Sequence, residues 1–180
     1  MEFNFSRNYF ELFELEAQFH IDREALANRY QALQSQFHPD RFIESNDQDK
    51  RMAMQATTFI NEAHKTLRDE SARARYLLEM QNVTFNTEKD TTQDMNFLMA
   101  QMSLREEIDE VDSQEDPLES LDKLARQSKQ EKLRLIENYQ ACFNMHQWNE
   151  AKEIVLKLQF FTRLQQQINQ KQEALEEKLL

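Results

Sequence analysis

The tripeptide His38-Pro39-Asp40 brings an imidazole, a proline ring and a carboxylate into adjacent positions. The proline ring fixes one backbone dihedral and leaves no backbone N–H to continue a helix. It also disfavours helical geometry in the residue before it, so a helix that reaches His38 must end there. The tripeptide therefore predicts a stiff turn that presents an imidazole and a carboxylate to a partner protein. The alternative is a plain helix stop beside a surface histidine and aspartate that have no role.

Two amphipathic helices are predicted before this turn. The first begins at Asn8, whose side chain can cap a helix, and Glu11 three residues later completes a capping box. The second begins at Asp22 and ends at His38. Its apolar residues recur at a spacing of four, three and four, at Leu26, Tyr30, Leu33 and Phe37.

After the turn, the polar residues 43–49 predict a loop before a third helix. The third helix carries a stripe of apolar residues, namely Met52, Ala56, Phe59, Ile60, Ala63 and Leu67. Residues 73–80 either continue this helix or form a short helix of their own. Helical periodicity is then lost in residues 81–94, which are rich in Asn, Thr and Asp. We place a linker between two domains here.

Three long helices are predicted in the second domain, residues 95–180. They cover about residues 95–111, 118–143 and 147–180 and are joined by short connections. Inward-facing positions on the second are Leu121, Leu124, Leu135, Ile136 and Tyr139, and on the third Ile154, Leu158, Phe161, Ile168, Leu175 and Leu179. Their spacing of threes and fours is typical of an antiparallel bundle with coiled-coil-like packing. The predicted fold class is all-α.

The composition narrows the possible functions. The chain has no glycine, which weakens nucleotide-binding and β-rich interpretations because phosphate-cradling loops and tight hairpins use glycine. Its formal charge of -11 opposes sequence-independent binding of nucleic acid. The single cysteine, Cys142, cannot form an internal disulfide and is expected to be a small buried side chain. Neither a leader nor a bilayer-spanning stretch is evident, so we expect a soluble cytoplasmic protein.

Residues 8–76 resemble a J domain, with the His-Pro-Asp tripeptide at the position where J domains carry it. The resemblance implies that this region contacts a DnaK-type chaperone and accelerates its ATP hydrolysis. The residues assigned to chaperone binding are His38, Pro39, Asp40, Arg41, Arg29 and Arg23. Ser35 and Gln36 stand where many J domains are more basic, which favours weaker docking or a specialised chaperone.

Nearly the whole chain resembles the HscB family of J-type co-chaperones, which serve iron–sulfur cluster assembly. The segments that carry the resemblance are, in order, NYFELFEL, HPDRF, INEAHKTL, ARARYLLE, FLMAQMSLREEIDE and the terminal EEKLL. The resemblance implies a J domain over residues 1–80 and a client-binding three-helix bundle over residues 95–180, in an L-shaped molecule. It also implies two partners, the specialised DnaK-type chaperone HscA and the scaffold protein IscU, on which clusters are built.

The predicted helix over residues 95–111 has two apolar sides. One side is a core stripe of Phe97, Leu104, Ile108 and Val111. The other side holds Met95, Leu98, Met99 and Met102 next to Glu106. An apolar side opposite a core stripe needs a further partner, either another protein or the rest of this chain. Unbranched methionines suit an adaptable binding surface.

The family resemblance favours scaffold binding for this second side. The residues it assigns are Leu98, Met99, Met102, Arg105, Glu106, Glu110 and Phe160. Phe160 lies off the seam of the last helix, so we expect it to be exposed. Gln93 and Ser103 stand where the family has charged residues, so charge should contribute less at those points.

His20, His64 and His146 are scattered, without carboxylates or cysteines at ligand spacing, so we expect no metal site. We also expect no cofactor, no catalytic residue, no nucleic-acid or membrane binding, and a monomer in the bacterial cytoplasm. Two alternatives remain: a J-domain co-chaperone with a different client, and a helical adaptor whose tripeptide has no role.

Overall fold

The computed structural model describes residues 3–86 and 90–179, and side chains as far as residue 177. Within these ranges all regular secondary structure is helical, as the periodicity predicts. The chain divides into two compact units, Met1–Leu77 and Leu78–Leu180. They are called the N-terminal and C-terminal units below.

The N-terminal unit contains α1 (Tyr9–Leu12), α2 (Arg23–Phe37) and α3 (Asp47–Arg68), and α4 (Glu70–Met80) begins in it. A 3-10 turn, Pro39–Phe42, follows α2 directly. The predicted helix starts are confirmed. The Asn8 side chain accepts the backbone N–H of Glu11 while the Glu11 carboxylate accepts that of Asn8, and Asp22 accepts two backbone N–H groups at the start of α2.

The start of α3 differs from the sequence prediction, and its end decides between two alternatives that the sequence left open. The expected loop over residues 43–49 is too long, because α3 already begins at Asp47. Asn46 caps this start by accepting the Asp49 N–H at 2.9 Å, so three polar residues form the first helical turn. At the other end, Asp69 takes an extended conformation and its carboxylate accepts the Ala72 N–H at 2.7 Å. This cap starts α4 as a separate helix.

The core of the N-terminal unit lies between α2 and α3, with α1 packed on α3. The predicted stripe of α3 is largely confirmed, although Met52 and Phe59 are half-buried. Ala56 and Ala63 of that stripe, together with the buried Ala53, let the backbones of the two helices approach closely. The buried apolar side chains of these three helices are Phe10, Leu12 and Phe13 around α1, Leu26, Leu33 and Phe37 of α2, and Ala53, Ala56, Ile60, Ala63 and Leu67 of α3.

The C-terminal unit contains α5 (Met95–Asp109), α6 (Pro117–Asn144) and α7 (Trp148–Leu179). The first ends two residues earlier than predicted, because the chain tightens into a 3-10 turn at Glu110–Ser113. Asp116 caps α6 by accepting the Glu119 N–H, and Pro117 occupies the first helical position, where its missing N–H costs nothing. The helices α6 and α7 pair along much of their length, whereas α5 covers only part of them.

The predicted seam of α7 needs correction at its start. Ile154 is half-buried, while Ala151 and Val155 are fully buried. Ala151, Val155 and Leu158 follow the spacing of four and three that places residues on one side of a straight helix. Cys142, expected to be buried, is also half-buried. Leu179 lies outside the described side chains.

Candidate partner-binding sites

The His38-Pro39-Asp40 corner forms where α2 ends. His38 has an extended ψ of 128°, so its carbonyl leaves the helix axis and the chain turns into the 3-10 helix. The side chains of His38 and Asp40 both face solvent, and they are 52% and 78% exposed. The corner is therefore open to a partner, as its sequence predicts.

A hydrogen bond inside the corner orients the imidazole. The backbone N–H of Asp40 donates to Nδ1 of His38 at 3.3 Å, and the Asp40 carboxylate lies 3.6 Å from the same nitrogen. A neutral imidazole that accepts at Nδ1 carries its proton on Nε2. The ring thus offers an N–H donor beside the carboxylate of Asp40.

Hydrogen bonds to residues of α2 and α3 hold this corner in place. Phe37 is buried in the core, and the hydroxyl of Thr57 in α3 donates to its carbonyl at 3.0 Å. The guanidinium of Arg41 turns back and donates to the carbonyl of Ser35 at 3.0 Å. These bonds satisfy two carbonyls that the end of a helix leaves without intrahelical partners. The position of His38 is consequently fixed by tertiary contacts and not by the proline alone.

The other basic residues assigned to chaperone binding are engaged within the unit. Arg23 lies 3.0 Å from Glu70, and Arg29 lies 2.6 Å from Glu14. Arg23 is 70% exposed, so its pair is readily exchanged for a partner's carboxylate, whereas Arg29 is 33% exposed. Arg41 is exposed but bonded to Ser35, as described above.

A second candidate site lies on α5. The predicted core stripe is confirmed, with Ile108 and Val111 fully buried and Phe97 and Leu104 packed against the core. On the other side, Met95, Met99 and Met102 are each about two-thirds exposed, and Leu98 is half-buried. Exposed large apolar side chains at adjacent turns form a surface that another protein can cover. The carboxylates of Glu106 and Glu110 are exposed on the following turns.

The expectation that Phe160 is exposed is wrong. Its side chain is only 6% exposed and belongs to the core of the C-terminal unit. The ring packs edge-on against Phe97 at 5.7 Å and Phe161 at 5.3 Å, and the guanidinium of Arg105 lies 5.5 Å from its centre. A residue off the seam is buried here because α5 covers that side of α7.

Comparison with known proteins shows the family to which the chain belongs. The chain is 36% identical, over 168 residues, to the "Co-chaperone protein HscB homolog" of Vibrio cholerae serotype O1 (strain M66-2), which covers 93% of this chain and 98% of that protein. The chain belongs to the HscB co-chaperone family. A family model described as the HSCB C-terminal oligomerisation domain matches residues 93–169 of this HscB-family chain.

Solved HscB structures share the fold. The chaperone HscB from Vibrio cholerae superposes with a TM-score of 0.82 at 35% identity, over 97% of this chain and 100% of that one. The human co-chaperone protein HscB also gives a TM-score of 0.82, at 28% identity, over 93% of this chain and 83% of that one. The fold is therefore a J domain followed by a C-terminal helical bundle, as the resemblance implied. These relatives are named co-chaperones and not enzymes.

Two negative observations apply to the described part of this HscB-family chain. Among residues 3–86 and 90–177, no three or more His, Cys, Asp or Glu side chains are grouped so that they could hold a metal ion. Every helix within the described ranges is too short or too polar to cross a bilayer.

Sequence reasoning missed Thr57, Asp94 and Lys157 in this HscB-family chain. Thr57 supports the corner from α3, and Asp94 bonds Lys157 across the C-terminal unit at 2.6 Å. Only the helix-cap role of Asp94 had a local signal, since it directly precedes the apolar residues of α5. The other contacts join residues at least 20 positions apart, which no short-range pattern reports.

Proposed function

We propose that this protein accelerates ATP hydrolysis by the DnaK-type chaperone HscA through the His38-Pro39-Asp40 corner and delivers the scaffold IscU to it for maturation of iron–sulfur proteins. The observation that carries the proposal is the exposed corner at the end of α2 in a chain of the HscB family. The proposed setting is the bacterial cytoplasm, with the protein acting as a monomer.

The chemistry of the corner suits recognition by a chaperone. An Nε2 donor and an acidic acceptor stand side by side on a turn whose backbone is held by bonds to Phe37 and Ser35. A fixed donor and acceptor lose little conformational entropy when a partner binds them. The corner would act by binding the chaperone in its ATPase-competent state, with no bond made or broken in this protein.

Electrostatic steering by α2 is expected to be weak. This helix contains two arginines, Arg23 and Arg29, against one acidic residue, Glu24, so its net charge is +1. Exposed charges mainly set association rates and their salt dependence. We therefore expect a shallow dependence of chaperone stimulation on ionic strength between about 50 and 200 mM salt.

The substitution His38→Gln tests the first half of the proposal. Glutamine keeps polarity and approximate size but lacks the imidazole, so stimulation of HscA turnover should fall at least about tenfold, the effect of losing one interaction of about 1.4 kcal/mol. The measurement is steady-state ATP turnover by HscA with and without this protein and IscU. The matched control is His20→Gln, an exposed histidine of the same unit that should leave stimulation unchanged.

Three results would change the interpretation. Absence of stimulation by the unmodified protein would favour the helical adaptor. A similar loss in both variants would show that the effect is unspecific. Loss of helicity in His38→Gln would make the histidine structural, whereas its exposure predicts an unchanged circular dichroism spectrum.

The second half of the proposal places IscU on the exposed side of α5. Leu98, Met99 and Met102 would supply apolar contact, with Arg105, Glu106 and Glu110 as charged neighbours. Phe160 would contribute from beneath the surface, and its ring would meet the scaffold only after Arg105 moves aside. The adaptable methionines can follow the shape of an apolar patch on the scaffold.

The double substitution of Met99 and Met102 to alanine tests this surface. Both side chains are more than 60% exposed, so their loss should leave the fold intact and weaken binding of purified IscU, measured by calorimetry, by about tenfold or more. Leu133→Ala on α6 is the matched control, with an apolar side chain 51% exposed. Unchanged IscU affinity in the double variant would show that the scaffold binds elsewhere on the protein. Absence of IscU binding by the unmodified protein, with intact HscA stimulation, would favour a J-domain co-chaperone that serves another client.

A further inference from the structure

The first half of α5 has a weaker attachment to the bundle than the second. Its last turns are anchored by Ile108 and, in the following 3-10 turn, by Val111, both fully buried. Before Ile108, the inward-facing Phe97 and Leu104 are only partly buried. A cavity of about 380 Å³ opens there, lined by all three helices and bordered by Phe97, Leu104, Leu135, Lys157, Phe160 and Phe161. Apolar packing alone therefore leaves this half of α5 incompletely supported.

An ion pair completes that support. The carboxylate of Asp94 accepts the Phe97 N–H with Oδ1 at 3.1 Å, which caps α5, and accepts Nζ of Lys157 with Oδ2 at 2.6 Å. The Lys157 side chain is 20% exposed and that of Asp94 is 39% exposed, so water screens the pair only in part. Lys157 of α7 thus binds Asp94, the residue that directly precedes α5.

The same lysine also contacts the first inward-facing ring of α5. Its Nζ lies 5.3 Å from the centre of the Phe97 ring, and that ring packs edge-on against Phe160 and Phe161 of α7. A cation above an aromatic face is attracted by the ring quadrupole. Lys157 therefore bonds both the cap and the first core ring of the helix.

From this arrangement we propose that Lys157, through Asp94 and Phe97, is a positioning residue that sets the place of the first half of α5 and thereby the affinity of its methionine surface for the scaffold. The inference rests on the proposed function, because it concerns the same surface. Lys157 lies on the cavity side of α5, whereas Met99 and Met102 are exposed. It thus acts without touching the scaffold.

The test compares IscU affinities of full-length variants by calorimetry. Lys157→Gln removes the charge, and Asp94→Asn removes the charge but keeps an oxygen that can cap α5. Each should weaken IscU binding roughly three- to tenfold, because misplacing a contact surface costs part of its binding energy. The double variant should bind no more weakly than Lys157→Gln, since the ion pair is already lost. Lys157→Arg should restore affinity to within about twofold of the unmodified protein.

Controls separate positioning from loss of fold and from loss of charge. Arg126→Gln breaks an exposed ion pair with Glu119 on α6 and should leave IscU affinity unchanged. The methyl resonances of Met99 and Met102 should shift in Lys157→Gln, and HscA stimulation without IscU should stay at the unmodified level. Trp148, which packs edge-on against Phe143 in the C-terminal unit, reports by its fluorescence that each variant is folded at the assay temperature.

The inference would be overturned if Lys157→Gln bound IscU as the unmodified protein does, if arginine failed to restore affinity, or if the two single effects added in the double variant. Failure of the proposed function has a different outcome. In that case the Met99 and Met102 double variant, which leaves the ion pair intact, would also bind IscU normally, or no variant would bind it at all.

Discussion

Replacing Phe160 with alanine should destabilise the C-terminal unit strongly. The ring is 6% exposed and packs against Phe97 and Phe161, with Arg105 above it. Removing a buried phenylalanine costs about 3–5 kcal/mol, through lost burial and the space left behind. Because the site borders the existing cavity and its walls can relax into it, we expect the lower end, about 3 kcal/mol.

The assay is urea unfolding followed by the fluorescence of Trp148, the only tryptophan of the chain, which reports on the C-terminal unit. A loss of about 3 kcal/mol should also lower the thermal midpoint by at least about 10 °C for a unit of this size. Met99→Ala is the control. Its side chain is 65% exposed, and we expect a change within about 0.5 kcal/mol.

A loss below about 1 kcal/mol in Phe160→Ala would refute the burial of this ring in solution. Phe160→Leu then separates stability from binding, since leucine fills much of the same volume and should cost less than about 1.5 kcal/mol if the neighbours repack. Weakened IscU affinity in Phe160→Leu, with stability kept, would show that the scaffold requires the aromatic ring itself.

Two further predictions concern the N-terminal unit. Burial against Tyr30, with a smaller effect of Arg68, lowers the pKa of His64 below 6.5. The unfolded chain therefore takes up the proton more readily, and the free energy of unfolding should fall as the pH drops below about 6.5. NMR titration and amide hydrogen exchange measure this pH dependence, which His64→Phe should flatten and His38→Gln, at an exposed position, should retain. Arg73→Met should lower the free energy of unfolding by about 1–3 kcal/mol, because the buried Arg73 Nε donates to the Phe19 carbonyl at 2.7 Å. Faster amide exchange in α3 measures this loss, and Arg68→Met, on the exposed side of α3, is the control.

The sequence determined the local structure of this protein. Asn8, Asp22 and Asp116 cap helices with side chains that reach only two or three residues along the chain, so their effect is visible without a fold. Pro39 ends α2 by local sterics. The core stripe of α5 followed from helical periodicity. The order of motifs was sufficient to indicate the HscB family, which the comparisons confirm.

Some local signals were ambiguous in the sequence. The polar residues 47–49 have the composition of a loop, yet Asn46 makes them the first turn of α3. Polar residues such as these are compatible both with a loop and with the first turn of a helix. Which of the two forms depends on how α3 continues against the end of α2. Residues 73–80 posed a similar choice, which the cap of Asp69 settles.

The tertiary structure alone decided which side chains are buried between distant segments and which charges pair. Phe160 faces away from the seam of α7 but is buried because α5 lies over it. The residue pattern of α7 does not indicate that α5 packs on this side. Lys157 meets Asp94 across 63 positions, and the exposed Arg41 folds back to donate to the carbonyl of Ser35. Periodicity reports one helix at a time, whereas burial and ion pairing depend on the geometry of two or three helices together.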